Sequence, residues 1–291
     1  MRPSDVRRPT SDVGRRRGSV RSRSTPDAGR LTSDAPFAFG HRGDSRDHPE
    51  NTAAAFDAAF AAGVDGVELD LRPTRDGVVV CHDASLARLG GGRRPLSRQT
   101  TAQARRIDVG TWFDPRFADQ RLLTLDELLR RYAGRGRLLL ELKKSGGPFG
   151  GRLNRRLCEA MVAAVQKRRA HGRVLVLCFD PALLAMVARL DPRLRLVRNC
   201  DRLPRDVGRW LDGQPWLDAV DFDRRLLTRG LVSTCHQRGI PVYTYSCNDA
   251  RALSAALATG VDGVLSDRAG WLVQQLEKLR RTRRVNSTKR A

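Results

Sequence analysis

From residue 36 onward, short apolar runs alternate with longer stretches whose apolar positions recur at helical spacing. The runs predict strands at 36–41, 65–71, 77–82, 137–143, 173–179, 194–198, 218–222, 240–246 and 262–266. The amphipathic stretches predict helices at 52–62, 124–133, 152–170, 181–190, 225–238, 248–259 and 268–281. Asn51 or Thr52 suits the N-cap of the first helix, and Gly63 its end. Asn248 or Asp249 opens the helix that Gly260 closes. Strand–helix alternation at this spacing indicates a parallel sheet. Counting 65–71 and 77–82 as one bent strand or hairpin leaves about eight strands, the number that closes a (β/α)8 barrel. An open doubly wound sheet is the competing fold, but no GxGxxG or P-loop motif accompanies it. Gly63-Val64-Asp65-Gly66-Val67-Glu68-Leu69-Asp70 is echoed by Gly260-Val261-Asp262-Gly263-Val264-Leu265-Ser266-Asp267, an echo best read as reuse of one helix-stop, turn and buried-strand solution.

The first 34 residues break this pattern. They are rich in Arg, Ser, Asp and Pro and lack periodicity, so disorder is expected there. Residues 278–291 hold seven Lys or Arg and no acid, which reads as a basic C-terminal tail. The two ends together carry more than half of the formal net charge of +22. Such tails can touch anionic lipid weakly, and the body's remaining positive balance favours an anionic substrate. No stable nucleic-acid partner is expected. There is no run of 18 apolar residues and no apolar stretch near the start, so neither a membrane span nor a signal peptide is expected. The six cysteines form no CxxC pair. All six read as reduced thiols in a cytoplasmic, at most membrane-peripheral, protein without a zinc site.

The candidate chemistry lies mostly in one early segment. His41-Arg42-Gly43, Glu50, Glu68, Asp70 and His82-Asp83 are carried by strand-like runs or their flanks. Glu68 and Asp70 are i, i+2 on a strand, so they face the same way about 7 Å apart along the backbone. Glu141 and Lys143 form another such pair. In a parallel barrel these strand ends would meet at one mouth. Concentrating so much charge is costly unless a cation or a bound anion compensates it. Glu68, Asp70 and Glu141 offer the oxygen ligands that suit Ca²⁺ or Mg²⁺. Arg42 and Lys143 suit phosphate, and His41 and His82 suit general acid–base work. His48, His171 and His236 lack such a setting, and the last two read as surface residues near helix ends.

These residues resemble the glycerophosphodiester phosphodiesterases. The likeness rests on His41-Arg42-Gly43 with Pro49-Glu50-Asn51-Thr52, on Gly66-Val67-Glu68-Leu69-Asp70 with Thr74-Arg75-Asp76-Gly77 and His82-Asp83, and on Gly110-Thr111-Trp112-Phe113. It continues through Leu123-Thr124-Leu125-Asp126-Glu127, Leu140-Glu141-Leu142-Lys143 and Gly263-Val264-Leu265-Ser266-Asp267, spanning about residues 36–273. The resemblance implies an α/β TIM barrel over 35–277 with a small insertion at about 83–120. It implies hydrolysis of a glycerophosphodiester to glycerol 3-phosphate and an alcohol. It assigns a divalent metal, Ca²⁺ or Mg²⁺, to Glu68, Asp70 and Glu141, acid–base roles to His41 and His82, and phosphate contact to Arg42 and Lys143. Tyr245 stands where the family usually has Trp, which points to substrate binding with a more polar preference. Asp44 and Arg46 replace small residues of the first loop and are expected to act on the alcohol side. A lysophospholipase D acting on longer lipids is a variant of the same chemistry. A non-catalytic barrel binding nucleic acid or lipid through its basic tails is the alternative from another class.

Overall fold

A computed structural model describes residues 36–288, with side chains described through residue 281. The expected disordered segment 1–34 and the last residues of the basic C-terminus lie outside the described residues. Eight parallel strands close a barrel: β1 (Phe37–His41), β2 (Gly66–Pro73), β4 (Arg137–Leu142), β5 (Val174–Cys178), β6 (Arg195–Cys200), β7 (Ala219–Asp223), β8 (Val242–Tyr245) and β9 (Gly263–Ser266). Each pairs with the next in that order, and β9 pairs with β1 to complete the circle. The short β3 (Val78–Val80) runs antiparallel to β2 as the second arm of a hairpin outside the barrel. This is the TIM-barrel architecture expected from the alternation.

The helices α1 (Ala53–Ala61), α3 (Leu125–Tyr132), α4 (Gly150–Arg168), α5 (Pro181–Leu190), α7 (Arg229–His236), α8 (Ala250–Leu257) and α9 (Ala269–Thr288) match the sequence reading closely. Two short ones, α2 (Thr101–Arg105) and α6 (Val207–Asp212), have too few turns to leave a periodic signal. α9 runs beyond the expected 281 to Thr288.

Two layers of core hold the fold. Outward-facing strand residues such as Val67, Leu69, Leu138 and Leu140 pack under the helices with Phe56, Tyr132 and Leu157. Inward-facing Phe39, Leu139, Leu175, Val197, Tyr243 and Leu265 fill the barrel below its mouth. Each such side chain, fully buried, contributes roughly 1.5–3 kcal/mol. Gly263 is needed in this plug: a Cβ there would stand 2.7 Å from the Tyr243 ring. The segment between β3 and α3 has its own small core of Val79, Leu86, Leu89, Leu96 and Val109.

The sequence echo has a structural cause. Gly63 and Gly260 both end helices with φ near +88° and +89°. Asp65 then accepts from the Ala38 N–H at 2.9 Å, and Asp262 from the Val242 N–H at 2.7 Å. Asp218 does the same for Leu196. Each aspartate satisfies a backbone donor where the preceding barrel strand begins, a group that would otherwise be buried unpaired.

Candidate active site

Strand register assembles the centre of the mouth. His41 is the partner of Glu68 across β1–β2, and Asp70 is the partner of Glu141 across β2–β4. All four face inward because they alternate with outward-packed Val67, Leu69 and Leu140. The two acids of β2 lie within the strand, which continues to Pro73, instead of at its end as the sequence suggested. Glu68, Asp70 and Glu141 are buried, and one oxygen from each lies within 4.8 Å of the others.

The Arg42-Gly43 turn and the Pro49-Glu50-Asn51-Thr52 loop form a cradle around these acids. Arg42 adopts φ +56°, and Gly43 φ +87° where a Cβ would strike the Ala55 backbone. The Arg42 N–H donates to Glu68 Oε2 at 3.1 Å. Asn51, also at positive φ, donates from Nδ2 to Asp70 Oδ2 at 2.8 Å and accepts from the Asp70 N–H. Those bonds offset the backbone strain of a left-handed non-glycine residue. Thr52 caps α1.

Lys143 Nζ lies 2.9 Å from Asp70 and 2.6 Å from Glu141. Arg42 reaches Glu50 at 3.1 Å and Asp70 at 3.3 Å. Both cations assigned to phosphate therefore balance carboxylates in this structure. The charges are unevenly shared. Burial works against ionising Asp70, but Lys143 and Arg42 outweigh it and hold its carboxyl down at about 2. Glu68 is pushed up to about 8 by burial and by Asp70 beside it. Its Oε1 is buried and has no hydrogen-bond partner. Burial and Asp70 also raise Glu141. A hard cation fits this set: three clustered carboxyls, two of them disfavoured as bare anions, and one orphaned oxygen.

The histidines flank the triad. His41 Nδ1 lies 2.5 Å from Asp267 Oδ1, and its Nε2 3.8 Å from Glu68. Burial lowers the His41 pKa, but Asp267 and Glu68 win and leave it raised. His82 lies just past β3, its Nδ1 2.7 Å from Asp83. Arg72 holds the His82 carbonyl at 2.9 Å. Burial dominates at His82 and lowers its pKa despite the pull of Asp70. Tyr245 ends β8 across the mouth. Its hydroxyl donates to the Cys200 carbonyl at 3.3 Å, and its ring meets Phe179 edge-on at 6.1 Å.

Several partners escaped the sequence reading. Asp267 is 226 residues from His41, and only the β9–β1 pairing brings them together. Asn248 donates to Asp267 Oδ2 at 2.5 Å. Arg88 bridges Glu50 and Asp83, tying the segment after β3 to the cradle. Asp221 lies buried with Oδ1 unpartnered, its pKa forced well up by burial and by the nearby Glu68 and Glu141. For Asp267 the available signal was an acid directly after the apolar run that forms β9.

Other expectations change. Asp44 accepts from the Ala269 N–H at the start of α9 at 2.7 Å and lies 3.4 Å from His48. His171 and His236 pair with Asp191 and Asp262 at 2.9 and 2.8 Å, so they fasten turns and are not merely placed at helix ends. All six cysteines are buried free thiols. Among the described residues, no helix is long and apolar enough to cross a membrane.

Comparison with known proteins gives a consistent result. The glycerophosphoryl diester phosphodiesterase family model matches residues 41–271. A glycerophosphodiester phosphodiesterase of Caldanaerobacter subterraneus is 27% identical over 253 residues, covering 83% of this chain and 98% of that protein. A Silicibacter pomeroyi crystal structure named for the same family superposes with a TM-score of 0.74 at 28% identity, over 84% of this chain and 94% of the other. An Oleispira antarctica phosphodiesterase, solved in complex with the product sn-glycerol-3-phosphate, shares the fold with a TM-score of 0.75 at 23% identity, over 85% of this chain and 99% of that one.

Proposed function

Since the chain belongs to the glycerophosphoryl diester phosphodiesterase family, we propose that it hydrolyses glycerophosphodiesters to glycerol 3-phosphate and an alcohol, with a divalent cation and a pair of histidines. The observation that carries this reading is the Glu68–Asp70–Glu141 cluster, buried beside two carboxylate-held histidines. Glu68, Asp70 and Glu141 would hold the cation, Ca²⁺ or Mg²⁺. Bound there, it would polarise a phosphoryl oxygen and balance charge that develops during displacement.

The protein's own groups do the rest. Arg42 and Lys143 neutralise the phosphate, Arg42 through a forked guanidinium and Lys143 as a point charge. Lys143 can exchange carboxylate partners for phosphate oxygens once the acids are balanced from another source. His41 and His82 each have Nδ1 engaged by a carboxylate, which fixes the ring and leaves Nε2 to move a proton. One takes a proton from the attacking oxygen and the other gives one to the departing alcohol. Tyr245 and Phe179 supply an aromatic corner for the organic part.

A lipid-directed version of the same chemistry has one supporting observation. Trp112, Phe149, Phe179 and Leu203 are large and exposed, and each belongs to a loop that follows a different strand, β3, β4, β5 and β6. One panel tests both versions. The metal-stripped protein is reloaded with Ca²⁺ or Mg²⁺ and given glycerophosphodiesters and long-chain lysophospholipids, with product phosphate esters assayed. Wild type should turn over the diesters only when loaded, and Glu68→Ala should abolish that turnover while keeping the thermal unfolding transition. Full turnover without metal, or by Glu68→Ala, rules the reading out.

A further inference from the structure

Two acceptor oxygens inside the barrel are buried without partners and have no role in the chemistry above. They are Asp221 Oδ1 on β7 and Asn199 Oδ1 on β6, in residues 1% and 4% exposed. We propose that this pair completes the cation site from the opposite wall, receiving water molecules bound to the ion that Glu68, Asp70 and Glu141 hold directly. This rests on the cation-dependent reading above and adds two positioning residues to it.

The position follows from strand register. Val220 and Phe222 pack outward, so Asp221 between them faces inward, and Asn199 is its partner across β6–β7. In such a barrel the inward side chains of alternate strands form layers of four. His41, Glu141, Asn199 and Tyr245 make one layer, from β1, β4, β6 and β8. Glu68, Leu177, Asp221 and Leu265 make the layer beneath, from β2, β5, β7 and β9. In the ring β7 stands opposite β2, and β6 opposite β1. Asp221 therefore faces Glu68 across the barrel axis, and Asn199 faces His41. The charges that act on Asp221 agree: they are Glu68, Glu141 and His41. Under both layers Phe39, Leu139, Val197 and Tyr243 plug the barrel. A partner for the two oxygens must come from the mouth side, where the acids meet.

The chemistry of the two atoms selects the ligand. Both are acceptors, and a buried acceptor left unpaired costs the full desolvation of that group. They require hydrogen-bond donors, and a phosphate oxygen or another carboxylate offers none. Water on a divalent cation spends its lone pair on the ion, so what it presents outward is hydrogen, made more acidic by the charge. Ca²⁺ takes about six to eight oxygen ligands, and Mg²⁺ keeps several waters. Three carboxylates on β2 and β4 therefore leave positions open toward β6 and β7. Asp221 stands outside the group of carboxyls whose oxygens lie within 4.8 Å of one another. Its contact with the ion accordingly runs through water, not by direct ligation. Outer groups of this kind fix the ion's ligands in place and tune its affinity.

The test measures Kd for Ca²⁺ and Mg²⁺ by calorimetry, and Tm with and without each ion, on the full chain. Asp221→Asn keeps the shape and removes the charge. It should weaken binding of whichever ion the wild type holds by roughly 10- to 100-fold, and Asn199→Leu should weaken it toward the lower end of that range. Asp221→Leu should raise Tm of the metal-free protein, because it removes a buried unpaired acid, and shrink the gain in Tm that the ion brings. A residue that only supports the fold would do the reverse, lowering the metal-free Tm and leaving Kd alone. If Asp221→Leu does not fold, Kd of the isosteric Asp221→Asn decides. At saturating ion, KM for a glycerophosphodiester should be unchanged in Asp221→Asn. A wild-type Kd in Asp221→Asn overturns the proposal. So does a raised KM at saturating ion, which would make Asp221 a substrate contact. So does binding of two ions by the wild type and one by the variant, which would make Asp221 a direct ligand. A wild type that binds neither ion overturns the cation-dependent reading itself, a result distinct from binding that ignores Asp221.

Discussion

Strands β9, β1, β2 and β4 bring Asp267, His41, Glu68, Asp70, Glu141 and Lys143 to the mouth, whereas β5 to β8 bring Phe179, Asn199, Asp221 and Tyr245. In the first half nearly every polar group has a charged partner within 4 Å, and the remaining strain is electrostatic: a carboxyl held near 8 beside one held near 2. In the second half one wall is aromatic, Asn199 Oδ1 lacks a partner, and the Asp221 carboxyl is buried with its pKa raised. The first arrangement is stabilised by added charge, as a cation or phosphate supplies. Substitutions in the charged arc should therefore cost more than those in the aromatic arc, and equal sensitivity of both would break the comparison.

The largest effect is expected in the charged arc. His82→Ala should lower kcat by roughly 10²–10⁴-fold on every ester alike, and a near-normal rate would remove His82 from the chemistry. Asp267→Asn comes next, with a loss toward the lower end of that range and little change in KM, because Asp267 orients His41 without reaching substrate. It also has a pH signature. Asp267 and Glu68 raise the His41 pKa against burial and the Arg42 charge. Without the Asp267 charge that pKa falls, so the limb of the rate profile that His41 sets should move to lower pH. An unmoved limb would show that Asp267 is merely structural. The smallest effect belongs to the aromatic arc. Tyr245→Phe removes one neutral hydrogen bond to the Cys200 carbonyl, so kcat/KM should fall by about fivefold or less. A loss as large as that of His82→Ala would place Tyr245 in the reaction instead.

The legible part of this site was its strand-borne acids and histidines. Glu68, Asp70, Glu141 and Lys143 could be grouped because alternation on a strand is local and survives in sequence. The partners that fix their protonation were not legible. Asp267 reads as one more acid after an apolar run until β9 closes on β1, and Asn51 reads as a helix cap until its side chain is seen gripping Asp70. Asp44 shows the reverse: it lies near the site in sequence, and only the folded chain brings its carboxylate to the start of α9.

Hydrophobic periodicity by itself determined the strands, the longer helices and hence a parallel barrel, since burial of one face or stripe is decided over a few residues. It also placed the metal-type acids and the histidines. Tertiary structure decided which carboxyl carries a proton, which cation balances which acid, and which polar atoms are left without partners. Those properties depend on distances between groups far apart in the chain and on exclusion of water, and both exist only once the barrel has closed.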